Sequence, residues 1–204
     1  MEWLGTVPYS EAWELQRRLH AEVVSGGEER VLLLEHPPVI TLGKSAKPEN
    51  LLVPEEELER RGVEVFRVDR GGDATFHGPG QLVAYFILRT ESAKRTVEAL
   101  EEVVKRSLNR VAALNFTEGP HAGVWVDGRK IASIGLALKR GATMHGFALN
   151  LTIDLSYFLL INPCGLPSSV MTSLKRETGL EIPPKDFYPY VIEAVEEVFG
   201  AYKR

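Results

Sequence analysis

Asp127-Gly128 stands between two runs of strand-forming residues, Val124-Trp125-Val126 and Arg129-Lys130-Ile131-Ala132-Ser133-Ile134. A dipeptide of this kind between such runs is the strongest short-range signal for a hairpin, because the favoured two-residue turn needs positive φ at both central positions. The predicted pairing sets Val126 opposite Arg129 and Trp125 opposite Lys130. Strict alternation then puts Lys130, Ala132 and Ile134 on one face and Ile131 and Ser133 on the other. Further strand-like runs cover residues 31–34, 39–42, 63–68, 82–88 and 147–153. They cluster, and they do not alternate regularly with helices. That pattern predicts an α+β fold, a mixed and largely antiparallel sheet with helices packed on it.

Four helices are expected outside the segment that follows the cysteine. Ser10 caps the first, Ala12, Leu15, Leu19 and Val23 share one face, and Gly26-Gly27 ends it. Pro54 followed by Glu55, Glu56 and Glu57 opens a short helix that Gly62 stops. Thr96 caps the strongest helix, whose apolar stripe is Val97, Leu100, Val103, Val104, Leu108, Val111 and Leu114. A last helix spans about residues 186–199. No linker, repeat or low-complexity segment interrupts the 204 residues, so one domain over 1–204 is expected.

The net charge of −4 argues against a general nucleic-acid binder. The first residues lack the basic start and apolar run of a signal peptide, and no apolar stretch is long enough to span a bilayer. A reducing, cytoplasmic setting away from membranes is the expectation.

The chain has one cysteine, Cys164, in Asn162-Pro163-Cys164-Gly165. A single thiol forms no internal disulfide and no multi-cysteine metal site. It is either a small buried hydrophobe or a reactive group. Pro163 and Gly165 put it on a shaped turn. Residues 168–174 then read as a helix start with a serine cap, whose amide dipoles would lower the pKa of a nearby thiol.

A second segment, Arg70-Gly71-Gly72-Asp73-Ala74-Thr75-Phe76-His77-Gly78-Pro79-Gly80-Gln81, reads as a glycine-rich loop between two strands. Its glycines allow close approach of backbone to a ligand. Its spacing matches neither the Walker phosphate loop nor the dinucleotide fingerprint, so it gives no reason to propose a nucleotide. His36, His121 and His145 lie far apart without helical pairing, which leaves no case for a metal. Lys130, on the predicted face of Trp125, is either a solvated lysine beside a turn or a partly desolvated acid–base group.

Four motifs in order, residues 34–43, residues 70–81, residues 123–125 with 130–135, and residues 162–165 with 171–174, together resemble the octanoyltransferases of lipoate biosynthesis. The resemblance runs from about residue 32 to residue 174. It implies a fold shared with the catalytic domains of lipoate and biotin protein ligases, and a catalytic dyad of Cys164 and Lys130. It implies substrate-binding segments at Arg70, Gly71, Gly72, Asp73, Ala74, Thr75, Phe76 and His77, at Ser133, Ile134 and Gly135, and at Gly146, Phe147 and Ala148. The implied reaction moves an octanoyl group from octanoyl-acyl carrier protein to a lysine of lipoyl domains, through an acyl-thioester on Cys164. The implied acceptors are the lipoyl domains of 2-oxoacid dehydrogenases and the glycine cleavage H protein. No cofactor and no ATP are called for, and a monomer is expected.

Both implied protein partners are acidic, so Lys94-Arg95, Lys139-Arg140 and Lys175-Arg176 are candidate docking pairs. The alternatives are an ATP-using ligase on the same fold, an amidotransferase between lipoyl domains, and a non-catalytic acyl-binding module.

Overall fold

A computed structural model describes residues 1–202, and the side chains of Cys164, Ala201 and Tyr202 lie outside the described residues. In chain order the elements are β1 Glu2–Thr6, α1 Tyr9–Val24, β2 Arg30–Glu35, β3 Val39–Leu42, α2 Glu55–Arg60, β4 Glu64–Arg67, β5 Ala74–His77 and β6 Gln81–Ile87. They continue with α3 Ala93–Asn109, β7 Phe116–Thr117, β8 Gly123–Val126, β9 Arg129–Lys139, β10 Ala142–Asn150, α4 Leu174–Thr178 and α5 Pro184–Tyr202. The larger sheet has the order β1-β2-β6-β10-β9-β8-β7 and is antiparallel except for the β1–β2 pair. The smaller sheet, β4-β3-β5, pairs β3 with β4 in parallel and with β5 antiparallel. This is the expected α+β class with a mixed, largely antiparallel sheet.

The period-2 alternation of the central strands explains the layering. On β6, Leu82, Ala84 and Phe86 face the core shared with α3 and α5, while Val83, Tyr85 and Ile87 face the core under α1. β2 does the same with Val31 and Leu33 on one side and Leu32 and Leu34 on the other. Leu100, Val103, Val104 and Leu108 of α3 are wholly buried against the first face. Each contributes about 1.5–3 kcal/mol relative to an exposed side chain. The small sheet has its own core, in which Ile40, Phe76, Phe158 and Ile161 are fully buried.

Several local expectations are corrected. Pro8, not Ser10, precedes the first helical residue, and its ring presets the entry angle. Ser92, not Thr96, caps α3, accepting from the Arg95 amide at 3.3 Å. The first turn of α3, Ala93-Lys94-Arg95, carries no stripe residue, so periodicity alone starts the helix one turn late. The glycine-rich segment is not all loop, since residues 74–77 form β5 on the edge of β3. The strand expected over 147–153 begins at Ala142 and ends at Asn150. A second tight hairpin joins β9 to β10 through Arg140 (φ 50°) and Gly141 (φ 78°). Residues 168–170 form a single 3-10 turn, and the α-helix after Cys164 starts only at Leu174, capped by Ser173.

Candidate active site

A cavity of about 700 Å³ lies where β6, β10 and β9 face β5 and the loop before it. Arg70, Gly71, Gly72, Asp73, Thr75, His77, Ser133, Ile134, Gly135, Gly146, Phe147 and Ala148 line it, together with Lys130 and Gly165. Three segments distant in sequence thus meet on one wall system. Ala74 and Phe76 do not reach it. On β5 they alternate with Thr75 and His77 and are buried in the core of the small sheet, where Phe76 stacks on Tyr157 at 4.6 Å.

Lys130 is placed by an irregularity that alternation does not predict. Trp125 pairs with Lys130 and Val126 with Arg129, as expected, but Val124 pairs with Ala132, leaving Ile131 as a bulge. The bulge sends Ile131 and Ala132 together into the α3 and α5 core, while Lys130 and Ser133 line the cavity. The expected grouping of Lys130 with Ala132 is therefore corrected. Lys130 is only 3% exposed, a rare state for a lysine, and its ammonium lies 5.5 Å from the Trp125 ring centroid. Asp127 (φ 47°) and Gly128 (φ 76°) make the turn that sets this register.

Arg70 acts as a bracket within the protein. Its Nη2 donates to the Thr41 carbonyl (2.7 Å), to Thr41 Oγ1 (2.9 Å) and to the Asp73 carbonyl (2.8 Å), and Nη1 donates to the Gly71 carbonyl (3.0 Å). Asp73 in turn accepts from Asn50 Nδ2 at 2.5 Å. These charge-assisted bonds hold the glycine-rich segment in one shape against β3.

A cluster of neutral imidazoles occupies the cavity wall, at His77 and His145, and the layer behind it, at His36. His77 Nδ1 donates to Gln81 Oε1 (2.8 Å), and burial first, then the neighbouring His36, pushes its pKa down to about 3. His36 donates to the Val7 carbonyl and accepts from the Tyr85 hydroxyl, each at 2.6 Å, and burial pushes it down to about 4. His145 Nε2 donates to Asp69 Oδ1 at 2.8 Å. Burial lowers the His145 pKa, which Asp69 partly offsets. That hydrogen bond, with help from Lys139, holds the Asp69 carboxyl well below the usual range. His145 also has a left-handed backbone, φ 64°, in the middle of β10. Strict alternation with Phe147 would point it at α3 and α5; its ring instead meets Asp69 and Tyr85 on the opposite face. Next to it, a Cβ on Gly146 would stand 2.1 Å from the Ala84 carbonyl oxygen, so only glycine fits.

The side chain of Cys164 lies outside the described residues. Its backbone belongs to the 3-10 turn Pro163–Gly165. The chain enters that segment through an antiparallel bridge between Leu51 and Ile161 and a hydrogen bond from the Asn162 amide to the Asn50 carbonyl (2.9 Å). It leaves through a parallel bridge between Met171 and Lys130. The amides of Gly165 and Gly71 donate to the Asn162 and Leu136 carbonyls at 3.1 and 2.9 Å, so both are committed within the fold. Of the dibasic pairs, Lys94, Lys139 and Lys175 each form an ion pair, with Glu98, Asp69 and Glu181. Ala93 at the start of α3 lines the cavity, which sets Lys94-Arg95 beside it.

The sequence reading missed Tyr9, Asn50, Tyr85 and His145 as cavity residues. The first three carry no local signal, since each arrives from an element whose pattern only reports burial. For His145, the adjoining Gly146 inside a strand was a hint of close backbone approach. Among the described residues no group of three His, Cys, Asp or Glu could hold a metal ion, and no helix is long and apolar enough to cross a membrane.

Comparison with known proteins agrees with this layout. The model of the lipoyl protein ligase A/B catalytic domain matches residues 8–196. The octanoyltransferase of Rubrobacter xylanophilus is 47% identical over 201 residues, covering 96% of this chain and 91% of that protein. The octanoyltransferase of Dictyoglomus thermophilum is 42% identical over 195 residues, covering 95% and 84%. Among solved structures, lipoate-protein ligase A bound with ATP superposes with a TM-score of 0.72 at 16% identity, covering 98% of this chain and 86% of the ligase. The biotin protein ligase of Aquifex aeolicus in complex with biotin gives 0.54 at 15% identity, covering 98% and 70%. These two likenesses concern the fold. The chain belongs to the lipoyl protein ligase A/B catalytic domain family, among its octanoyltransferases.

Proposed function

We propose that this enzyme transfers an octanoyl group from octanoyl-acyl carrier protein to a lysine of lipoyl domains, with Cys164 as nucleophile and Lys130 as its acid–base partner. The observation that carries the reading is a buried lysine on the wall of a cavity that Gly165, the neighbour of the single cysteine in the sequence, also lines. The similarity to octanoyltransferases supplies the acyl group.

In the first half-reaction Lys130 takes the thiol proton and the Cys164 thiolate attacks the thioester carbonyl. The tetrahedral intermediate collapses, the bond to the carrier sulfur breaks, and Lys130 returns the proton to the departing thiol. In the second half the acceptor amine attacks the acyl-Cys164 thioester and passes a proton to Lys130. The bond to Cys164 Sγ breaks, an amide forms, and Lys130 returns that proton to the released thiolate. His77, uncharged at neutral pH, takes part in no proton transfer in this scheme and serves as a hydrogen-bonded part of the wall. Thioester exchange stores the acyl group at little cost in energy, and amide formation is downhill, so no nucleotide is required.

The test is intact-protein mass spectrometry after mixing with octanoyl-acyl carrier protein in the absence of ATP. A gain of one octanoyl group, lost in Cys164→Ala and discharged by a lipoyl domain, is the expected result. Acceptor modification that requires ATP and free acid would instead make this chain a ligase.

A further inference from the structure

We propose that Thr172 is a positioning residue that locks the backbone leaving Cys164 against Lys130. Three bonds converge on this wholly buried residue from three elements. Its amide donates to the Lys130 carbonyl at 3.0 Å. Its carbonyl accepts from Asn150 Nδ2 of β10 at 2.9 Å. Its hydroxyl donates to Glu177 Oε1 of α4.

Glu177 closes the clamp. Its side chain is 7% exposed, and its carboxylate takes a two-pronged grip from Arg129, with Nε at 2.8 Å and Nη2 at 2.7 Å. Arg129 and Lys130 are consecutive, so Thr172 holds the lysine's backbone directly and its neighbour's side chain through Glu177. Asn150 is fixed in turn, because its Oδ1 accepts from Gln81 Nε2 at 2.9 Å, and Gln81 Oε1 accepts from His77. The clamp therefore ends in the wall of the cavity.

The segment between the bridges at Ile161 and Met171 contains Cys164 and is fastened at both ends. The entry is tied to residues 50 and 51, which carry no proposed chemistry. The exit is tied to the proposed base. Displacements of about 1 Å in such a site cost up to roughly a hundredfold in rate. A wholly buried threonine whose hydroxyl reaches a carboxylate is suited to fixing that register.

The inference rests on the Cys164–Lys130 reading, and the tests separate the two. The single cysteine makes thiol alkylation specific, so iodoacetamide labelling of the full chain across pH reports the thiol's ionisation. Thr172→Val keeps shape and both backbone bonds but removes the hydroxyl. It is expected to move the alkylation midpoint toward that of an unassisted thiol, near about 8.5. Acyl-enzyme formation from octanoyl-acyl carrier protein should slow about tenfold or more with KM little changed, and Thr172→Ser should restore both. Glu177→Gln should shift both readouts in the same direction by less, and it decides the matter if Thr172→Val fails to fold. Unmoved profiles and rates in folded Thr172→Val and Glu177→Gln, beside an inert Cys164→Ala, would overturn the clamp alone. A Cys164→Ala protein that still transfers would overturn the covalent reading itself.

Discussion

Gly123 is a residue whose missing side chain sets where another one lies. A Cβ there would stand 2.6 Å from Lys130 Cε and 2.2 Å from the Ala132 carbonyl oxygen, at a φ of 142°. Gly123→Ala is therefore expected to lose about 2–3 kcal/mol of stability in urea unfolding, through strain and crowding. It should also push Lys130 off its seat over Trp125 and slow acyl transfer at least tenfold. A folded Gly123→Ala enzyme with a normal rate would show that the seat of Lys130 is not critical. At this scale the sequence was informative about identity more than aim. Lys130 and Trp125 were correctly paired, because an Asp-Gly turn dictates register. The side on which Ala132 falls was not readable, because nothing in Lys130-Ile131-Ala132 marks a bulge. The bulge follows from how β8 and β9 settle between α3 and the cavity.

Elements were legible where a local rule specifies them. The strand over residues 39–42, the stop of α2 at Gly62 (φ 70°) and the hairpin at Asp127-Gly128 all follow from turn chemistry and apolar runs. β5 was hidden because its four residues sit among glycines and pair with β3 across more than thirty positions of chain. The β9–β10 hairpin was hidden because Arg140 takes a positive φ without being Asn, Asp or Gly. The short α4 depends on its cap. Ser173 Oγ accepts from the Arg176 amide at 3.2 Å, and the helix has only five residues. Ser173→Ala is expected to cost about 1 kcal/mol in denaturant unfolding. Since Glu177 rides on this helix, the loss should be accompanied by easier thiol alkylation only at raised pH. A stability unchanged within error would mean that the contacts of Thr172 and Leu174 hold the turn without its cap.

The molecule as a whole carries a liability to acid. His36 and His77 are buried neutral, at about 4 and about 3, against about 6.5 in an unfolded chain. The unfolded chain therefore binds protons first as the pH falls, and folding loses ground from about pH 6.5 downward. Two such groups predict a loss of about 3 kcal/mol between pH 6.5 and pH 5, measured by guanidinium unfolding. Asp69 adds to the loss at lower pH, because its depressed carboxyl stabilises the fold only while ionised. A flat profile between pH 6.5 and 5 would mean that the two imidazoles are charged in the folded protein. Sequence alone gave no access to this property. The histidines are scattered, and it is the closing of α1 and the small sheet over the large one that gathers them.

The turn at residues 127 and 128 also governs how the protein ages. Asp-Gly bonds rearrange to isoaspartate when the glycine nitrogen attacks the aspartate side chain, which inserts an extra carbon into the backbone. Here both reacting groups are engaged: Asp127 Oδ1 accepts from Asn115 Nδ2 at 2.6 Å, and the Gly128 amide donates to Thr117 Oγ1 at 3.1 Å. The two-residue strand β7, which carries Thr117, thus shields the bond. Each rearrangement would begin with a transient opening of that edge, and would end with a turn one atom too long to hold Lys130 opposite Trp125.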